Sequence, residues 1–219
     1  MYQPYLRGKQ FELLALEELA EPLFSVNKEL ISPIIEPVRD STTLQRTLKV
    51  LARFEINFTI IINPTVGDFV DLEQVKIFQI LNNIITGYEN FQCGIIFNEK
   101  TDHSSIINLL NEFNFKNLTL IHYNRLPHIE EILSLYSESF SIKYNVLNIQ
   151  KVRDRYKRQL LPKGTFVELD DFFEYQDRNK DYPEISSFSE EHLYYIEEGY
   201  IGISDYLCVG EPYSETGFI

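Results

Sequence analysis

Residues 58–64 read FTIIINP, an apolar, mostly β-branched run stopped by Asn63 and Pro64. A run without polar alternation predicts a strand covered on both faces, and Pro64, with no N–H and a fixed φ, ends it. Working outward, similar runs appear at 31–38 (ISPIIEPV), 93–97 (CGIIF), 118–123 (LTLIHY), 142–147 (IKYNVL) and 165–169 (TFVEL), after a short strand-like opening before Gly8. Helical spacing of apolar residues fills the gaps. Leu13, Leu16 and Ala20 mark a helix over 10–21 that Pro22 stops. Leu44, Leu48 and Leu51 mark the next, with Thr42 and Gln45 at capping-box spacing. Asp71 and Gln74 repeat that spacing before Val75, Phe78, Leu81 and Ile85, and Gly87 ends this helix. Ile106 with Leu110, and Ile129 with Leu133 and Tyr136, complete the series.

Apolar strands separated by helices mean a parallel sheet, because a parallel crossover needs a helix to return the chain. An open doubly wound sheet and a barrel both satisfy this. No GxGxxG or GxxxxGK[ST] follows any strand, which removes the usual nucleotide-binding support for the open sheet and identifies no cofactor. The expectation is an α/β fold, a parallel (β/α) barrel-like, TIM-like sheet that is incomplete at its last strand. Its core is expected over residues 1–174, with an acidic, aromatic-rich region at 175–219 packed on it.

Charge separates the two. Of 20 Lys and Arg against 33 Asp and Glu, residues 165–219 hold 2 and 14, a net of −12 out of the chain's −13. Such a segment repels nucleic acid and favours a basic protein partner, while its Phe and Tyr residues argue against simple disorder. The basic residues Lys151, Arg153, Arg155, Lys157 and Arg158 are expected to neutralise part of it. No apolar run approaches a membrane span, and the two cysteines cannot build a disulfide framework, so the expected location is the cytoplasm.

Barrel chemistry gathers where strands end. Glu36, His122 and Asp170 are the catalytic candidates, with Lys9, Arg39, Asn63, Asn98, Asn124 and Asn148 as ligand-binding candidates around the same mouth. Lys9 is expected to pair with Glu36. Asparagine also caps local backbone at strand-to-helix turns, the plainer explanation for four strands ending in it. Glu168, Asp170 and Asp171 have the hard-oxygen chemistry of a divalent-cation site, but acids after a strand are commonly solvated and no metal is assigned. The four histidines have no zinc-site spacing.

The opening MYQPYLRGKQFELLALEEL, followed by ISPIIEPV, resembles the start of the bacterial and phage "beta protein" family. Tyr5, Leu6, Arg7, Gly8, Lys9, Glu12, Ala15, Leu16, Pro33 and Glu36 carry the likeness. Residues 178–184 (RNKDYPE) and 189–206 (SEEHLYYIEEGYIGISDY) resemble a subfamily found in small bacterial gene cassettes. The resemblance implies a barrel-like fold and a role in a mobile-element or phage-defence gene module, beside a partner such as a neighbouring-gene product. It implies no catalytic residues. It also implies a further strand beyond Ile219, so an eighth strand is expected to be missing and the open edge to permit self-association. The expected function is partner binding, ahead of a barrel hydrolase or phosphodiesterase and of nucleic-acid binding through 151–158.

Overall fold

The computed structural model describes residues 1–70, 75–152, 154–160, 164–173, 176, 178–185, 189–207 and 210–213. Eight parallel strands follow one another around a single sheet in sequence order. They are β1 (Tyr5–Leu6), β2 (Ile34–Ile35), β3 (Phe58–Ile61), β4 (Phe91–Phe97), β5 (Asn117–His122), β6 (Ser141–Asn148), β7 (Phe166–Asp170) and β8 (Gly202–Asp205). Between them run α1 (Gln10–Val26), α2 (Thr42–Arg53), α3 (Val75–Ile84), α4 (His103–Glu112), α5 (Ile129–Ser137), α6 (Asp154–Leu160) and the short α7 (Glu191–Tyr194). The sheet curls into a nearly closed α/β barrel of the TIM-like kind.

Closure is made by the first three residues. Tyr2 bridges in parallel to Ile203, Gln3 N donates to Ile203 O at 2.8 Å, and Ile203 N donates to Met1 O at 3.1 Å. Ser204 Oγ adds a bond to Gln3 O at 2.6 Å. The ladder does not continue to β1, which leaves one unsealed seam. Gly202 permits this approach, since a Cβ there would stand 2.6 Å from Met1 O. The eighth strand thus lies within the acidic region, at GISD, and the expectation that it is missing is corrected. Incompleteness resides in the seam.

Strand alternation divides the core in two. Tyr5, Ile34, Ile61, Ile96, Ile121, Val146, Val167, Leu169 and Tyr206 pack together inside the barrel. Leu6, Ile35, Ile60, Ile95, Leu120 and Leu147 point the other way, into a larger cluster with Leu13, Leu48, Phe78, Leu110 and Leu133 of the helices. Both faces of the strands are therefore buried, in β6 over its second half, which explains the apolar runs.

Local details depart from expectation at two helix ends. The first helix runs through Pro22 to Val26. Pro22 is exposed, so water can solvate the carbonyl that a proline cannot bond, and Asn27 N caps the end by donating to Leu23 O at 3.0 Å. The second helix is capped by Ser41, whose Oγ accepts from Leu44 N at 3.1 Å, rather than by Thr42. The expected cap at Asp71 and Gln74 lies outside the described residues. Among the described residues, no helix is long and apolar enough to cross a membrane.

Candidate functional site

Two buried glutamates organise the polar chemistry. Glu36 follows β2 and points into the barrel, having the parity of Ile34. Its side chain is fully buried and completely occupied. Tyr5 OH donates to Oε2 at 2.7 Å, Arg7 Nη1 pairs with the same oxygen, and Thr65 donates to Oε1 from its N at 2.6 Å and its Oγ1 at 2.9 Å. The Arg7 guanidinium sits over the adjoining rings of Tyr5 and Tyr206, 5.2 and 5.4 Å from their centroids. Tyr206 OH meets Tyr123 OH at 2.5 Å.

The chain itself covers this mouth. Arg7 Nη2 donates to Glu211 O at 2.5 Å, and Glu211 N donates to Asp171 Oδ2 at 2.7 Å. Lys151 forms an ion pair with the Glu211 carboxylate and lies 4.1 Å from the centroid of the Tyr123 ring. Lys9 lies 5.3 Å from that of Tyr213. The expected Lys9–Glu36 pair is replaced by Arg7–Glu36, because residue 7 shares the inward parity of Tyr5 while Lys9 has passed the strand end to cap the first helix. Gly8 makes that turn at φ 61°, and a Cβ there would come 3.2 Å from Glu36 O.

The three catalytic candidates do not converge. His122 has the parity of Leu118 and Leu120 and faces the helix layer, stacked edge-on against Phe97 and Tyr156. Its Nε2 meets Asn145 Oδ1 and its Nδ1 meets Tyr156 OH, each at 3.0 Å. Burial pushes the imidazole down to about 4, against the opposing bond to Asn145. It is a neutral, satisfied core histidine. Asp170 also lies outside the lumen; it accepts from Gln150 Nε2 at 3.1 Å and from Asp171 N at 2.7 Å. Burial raises its carboxyl, and those two bonds oppose the rise.

Two of the four strand-end asparagines hold backbone through their side chains. Asn63 bridges β3 to β4, donating to Ile96 O and accepting from Ile96 N, both at 2.8 Å. Asn98 Oδ1 accepts from Lys100 N at 2.8 Å. Asn124 is exposed, and Arg39 is exposed on the connection after β2. Asn148 is buried, with an Oδ1 that has no partner among the described residues. Asn63, Asn98 and Asn124 line one cleft of about 640 Å³ with Thr65, Thr101, Asp102 and Tyr123. Much of its polar wall is committed to turns: Thr101 Oγ1 donates to Ile96 O, and Asp102 caps α4 through Ser105 N.

The second glutamate is Glu168 of β7, which faces outward under α7. Its carboxylate, with those of Glu191 and Glu198, forms a cluster whose oxygens lie within 4.8 Å of one another. Burial, then the charges of Glu191, Glu198 and Asp170, push Glu168 up to about 7, while Lys157 opposes them. Sequence reasoning marked Glu168 but paired it with Asp170 and Asp171. It missed Glu191 and Glu198, which only the return of the chain from α7 into β8 brings alongside.

A scan against protein-family models matches none, and a search of curated proteins returns no significant match.

Proposed function

We propose that this protein acts by binding a basic protein partner through the surface built by α7 and the turn into β8. One observation carries the reading. Leu193, Tyr194, Ile196 and Ile201 are 60, 47, 69 and 41% exposed within one short segment, framed by exposed Glu190, Glu197 and Glu198. Apolar anchors inside a charged rim are the usual composition of a protein interface, and the acid sets the sign of the partner. The mouth supports the same choice. Arg7, Lys9 and Lys151 are engaged there by the chain's own Tyr206, Glu211 and Tyr213, so the barrel end offers little free cationic chemistry for a substrate.

Nucleic acid is not the proposed partner. Lys151 pairs with Glu211, Lys157 donates to Glu198 O at 2.7 Å, and the net charge of −13 opposes a polyanion. The resemblance to the beta protein family supplies the proposed setting, a mobile-element or phage-defence gene module with a neighbouring-gene product as partner. The test compares the intact protein with Leu193→Asp/Ile196→Asp in affinity purification from native cells. A basic protein enriched by the wild type, lost in the variant and weakened by salt is expected. Equal recovery by both proteins, or no enriched basic protein, overturns the reading.

A further inference from the structure

We propose that Glu168, Glu191 and Glu198 bind a hard divalent cation, calcium in preference to magnesium, on the outer wall of the barrel, between β7 and α7. The three side chains come from different parts of the fold: the middle of a wall strand, the first turn of a short helix and the turn before β8. Each offers one carboxylate oxygen to a common point, all within 4.8 Å of one another. Three converging carboxylates suit Ca2+, which takes ~6–8 oxygen ligands in flexible geometry, better than Mg2+, which keeps several waters and is usually held through one or two carboxylates. An all-carboxylate set favours calcium, magnesium or manganese over zinc or copper, which prefer nitrogen and sulfur.

Glu168 supplies the independent observation. It is only 2% exposed, and its Oε2 accepts no hydrogen bond among the described residues. A carboxylate oxygen withdrawn from water with no donor is costly, and a cation is the ligand that its charge calls for. Glu191 is half-buried and Glu198 exposed, so the cluster passes from a dry floor to an open rim through which an ion and its waters can enter. Lys157 is the neighbouring cation. It donates to the Glu198 main-chain oxygen and lies 3.3 Å from the centroid of the Tyr200 ring. Three carboxylates against one ammonium leave two negative charges, the complement of a divalent ion.

The test uses the full chain, stripped with EDTA and dialysed, then titrated calorimetrically with CaCl2, MnCl2 and MgCl2. One Ca2+ per chain is expected, with a saturable rise in Tm and affinity at least tenfold above that for Mg2+. Glu168→Gln and Glu198→Gln should each weaken Ca2+ at least tenfold. Glu190→Gln, a neighbour outside the cluster, should stay within twofold of wild type. Glu198 is exposed, so its variant tests the site even where a change at Glu168 disturbs folding. Absence of saturable binding up to millimolar Ca2+, or unchanged affinity in Glu198→Gln, overturns the proposal. A preference for Mg2+ overturns the choice of calcium.

Discussion

Glu36 and Glu168 are the same residue type and both are buried, one just past a strand end and the other within a strand, yet their surroundings are opposite. Inside the barrel, Glu36 accepts from Tyr5, Arg7 and both donors of Thr65. Outside it, Glu168 keeps one oxygen without a partner among the described residues and faces two further carboxylates. A buried charge with every lone pair answered is a structural fastener. A buried charge left short of donors is poised for a ligand or a proton. The side of the sheet decides which: inward parity brings β1 and the β3 loop to Glu36, and outward parity brings the acidic return into β8 to Glu168.

The largest expected effect breaks the first half of this contrast. Glu36→Ala leaves the Arg7 guanidinium buried without its carboxylate and strips the acceptor from Tyr5 OH and Thr65. Removing one partner of a buried ion pair costs about 3–5 kcal/mol. Urea denaturation should report a loss of that order. A loss below about 1 kcal/mol would mean that Glu36 is not the fastener described.

Glu168→Gln should act in the opposite direction. In EDTA at pH 8 it removes a repelled charge, with a gain of about 1–2 kcal/mol, discounted because the exposed Glu198 side is screened by water. The sign follows from linkage. The folded Glu168 carboxyl titrates near 7, above the ~4.5 of an unfolded glutamate, so the native state binds more protons between these values. Its contribution is greatest below pH ~4.5 and declines as pH rises through 7. His122 does the reverse: folded near 4 and unfolded near 6.5, it withdraws stability as pH falls through that range. The two slopes oppose each other between pH ~4.5 and ~6.5. Chemical denaturation across that window should therefore slope upward with pH more steeply in Glu168→Gln than in the wild type. Parallel profiles would refute the raised Glu168.

How much of this was legible in the sequence depends on periodicity. Apolar strands such as FTIIINP announce the parallel sheet because both of their faces are buried. The eighth strand escaped because GISD has only four residues, one of them Gly202 and one Asp205, between acidic turns. Strand parity is written in the sequence: Leu118, Leu120 and His122 alternate with Thr119 and Ile121, which sends the histidine away from the lumen. The same rule pairs Glu36 with Arg7 instead of Lys9. The Glu168, Glu191 and Glu198 cluster was not legible, since residues so far apart meet only through the path of the chain from α7 to β8.

A smaller effect sharpens the inward half. Tyr206→Phe keeps the ring that packs on Tyr5, with centroids 4.9 Å apart, and deletes only the hydroxyl bonded to Tyr123. The expected loss is about 0.5–1.5 kcal/mol, one buried hydrogen bond, by thermal or urea unfolding. A loss as large as that of Glu36→Ala would move the fastening role from the ion pair to the tyrosines.

The smallest effect concerns the cover of the mouth. Lys151→Met removes the ion pair with Glu211, a partly exposed contact worth about 0–1 kcal/mol. Two other ties remain on Glu211: Arg7 still donates to its carbonyl, and its N–H still donates to Asp171. Global stability should therefore hardly change, because Glu36 and Arg7 keep their own pairing beneath. Local opening is a separate quantity and draws on fewer contacts. Hydrogen exchange at Glu211 should accelerate severalfold in the variant, and raising the salt should narrow the difference from wild type as the ion pair is screened. Exchange that quickens equally at Glu36 and Thr65 would mean that cover and fastener open as one unit, which the separate bonding of the two layers argues against.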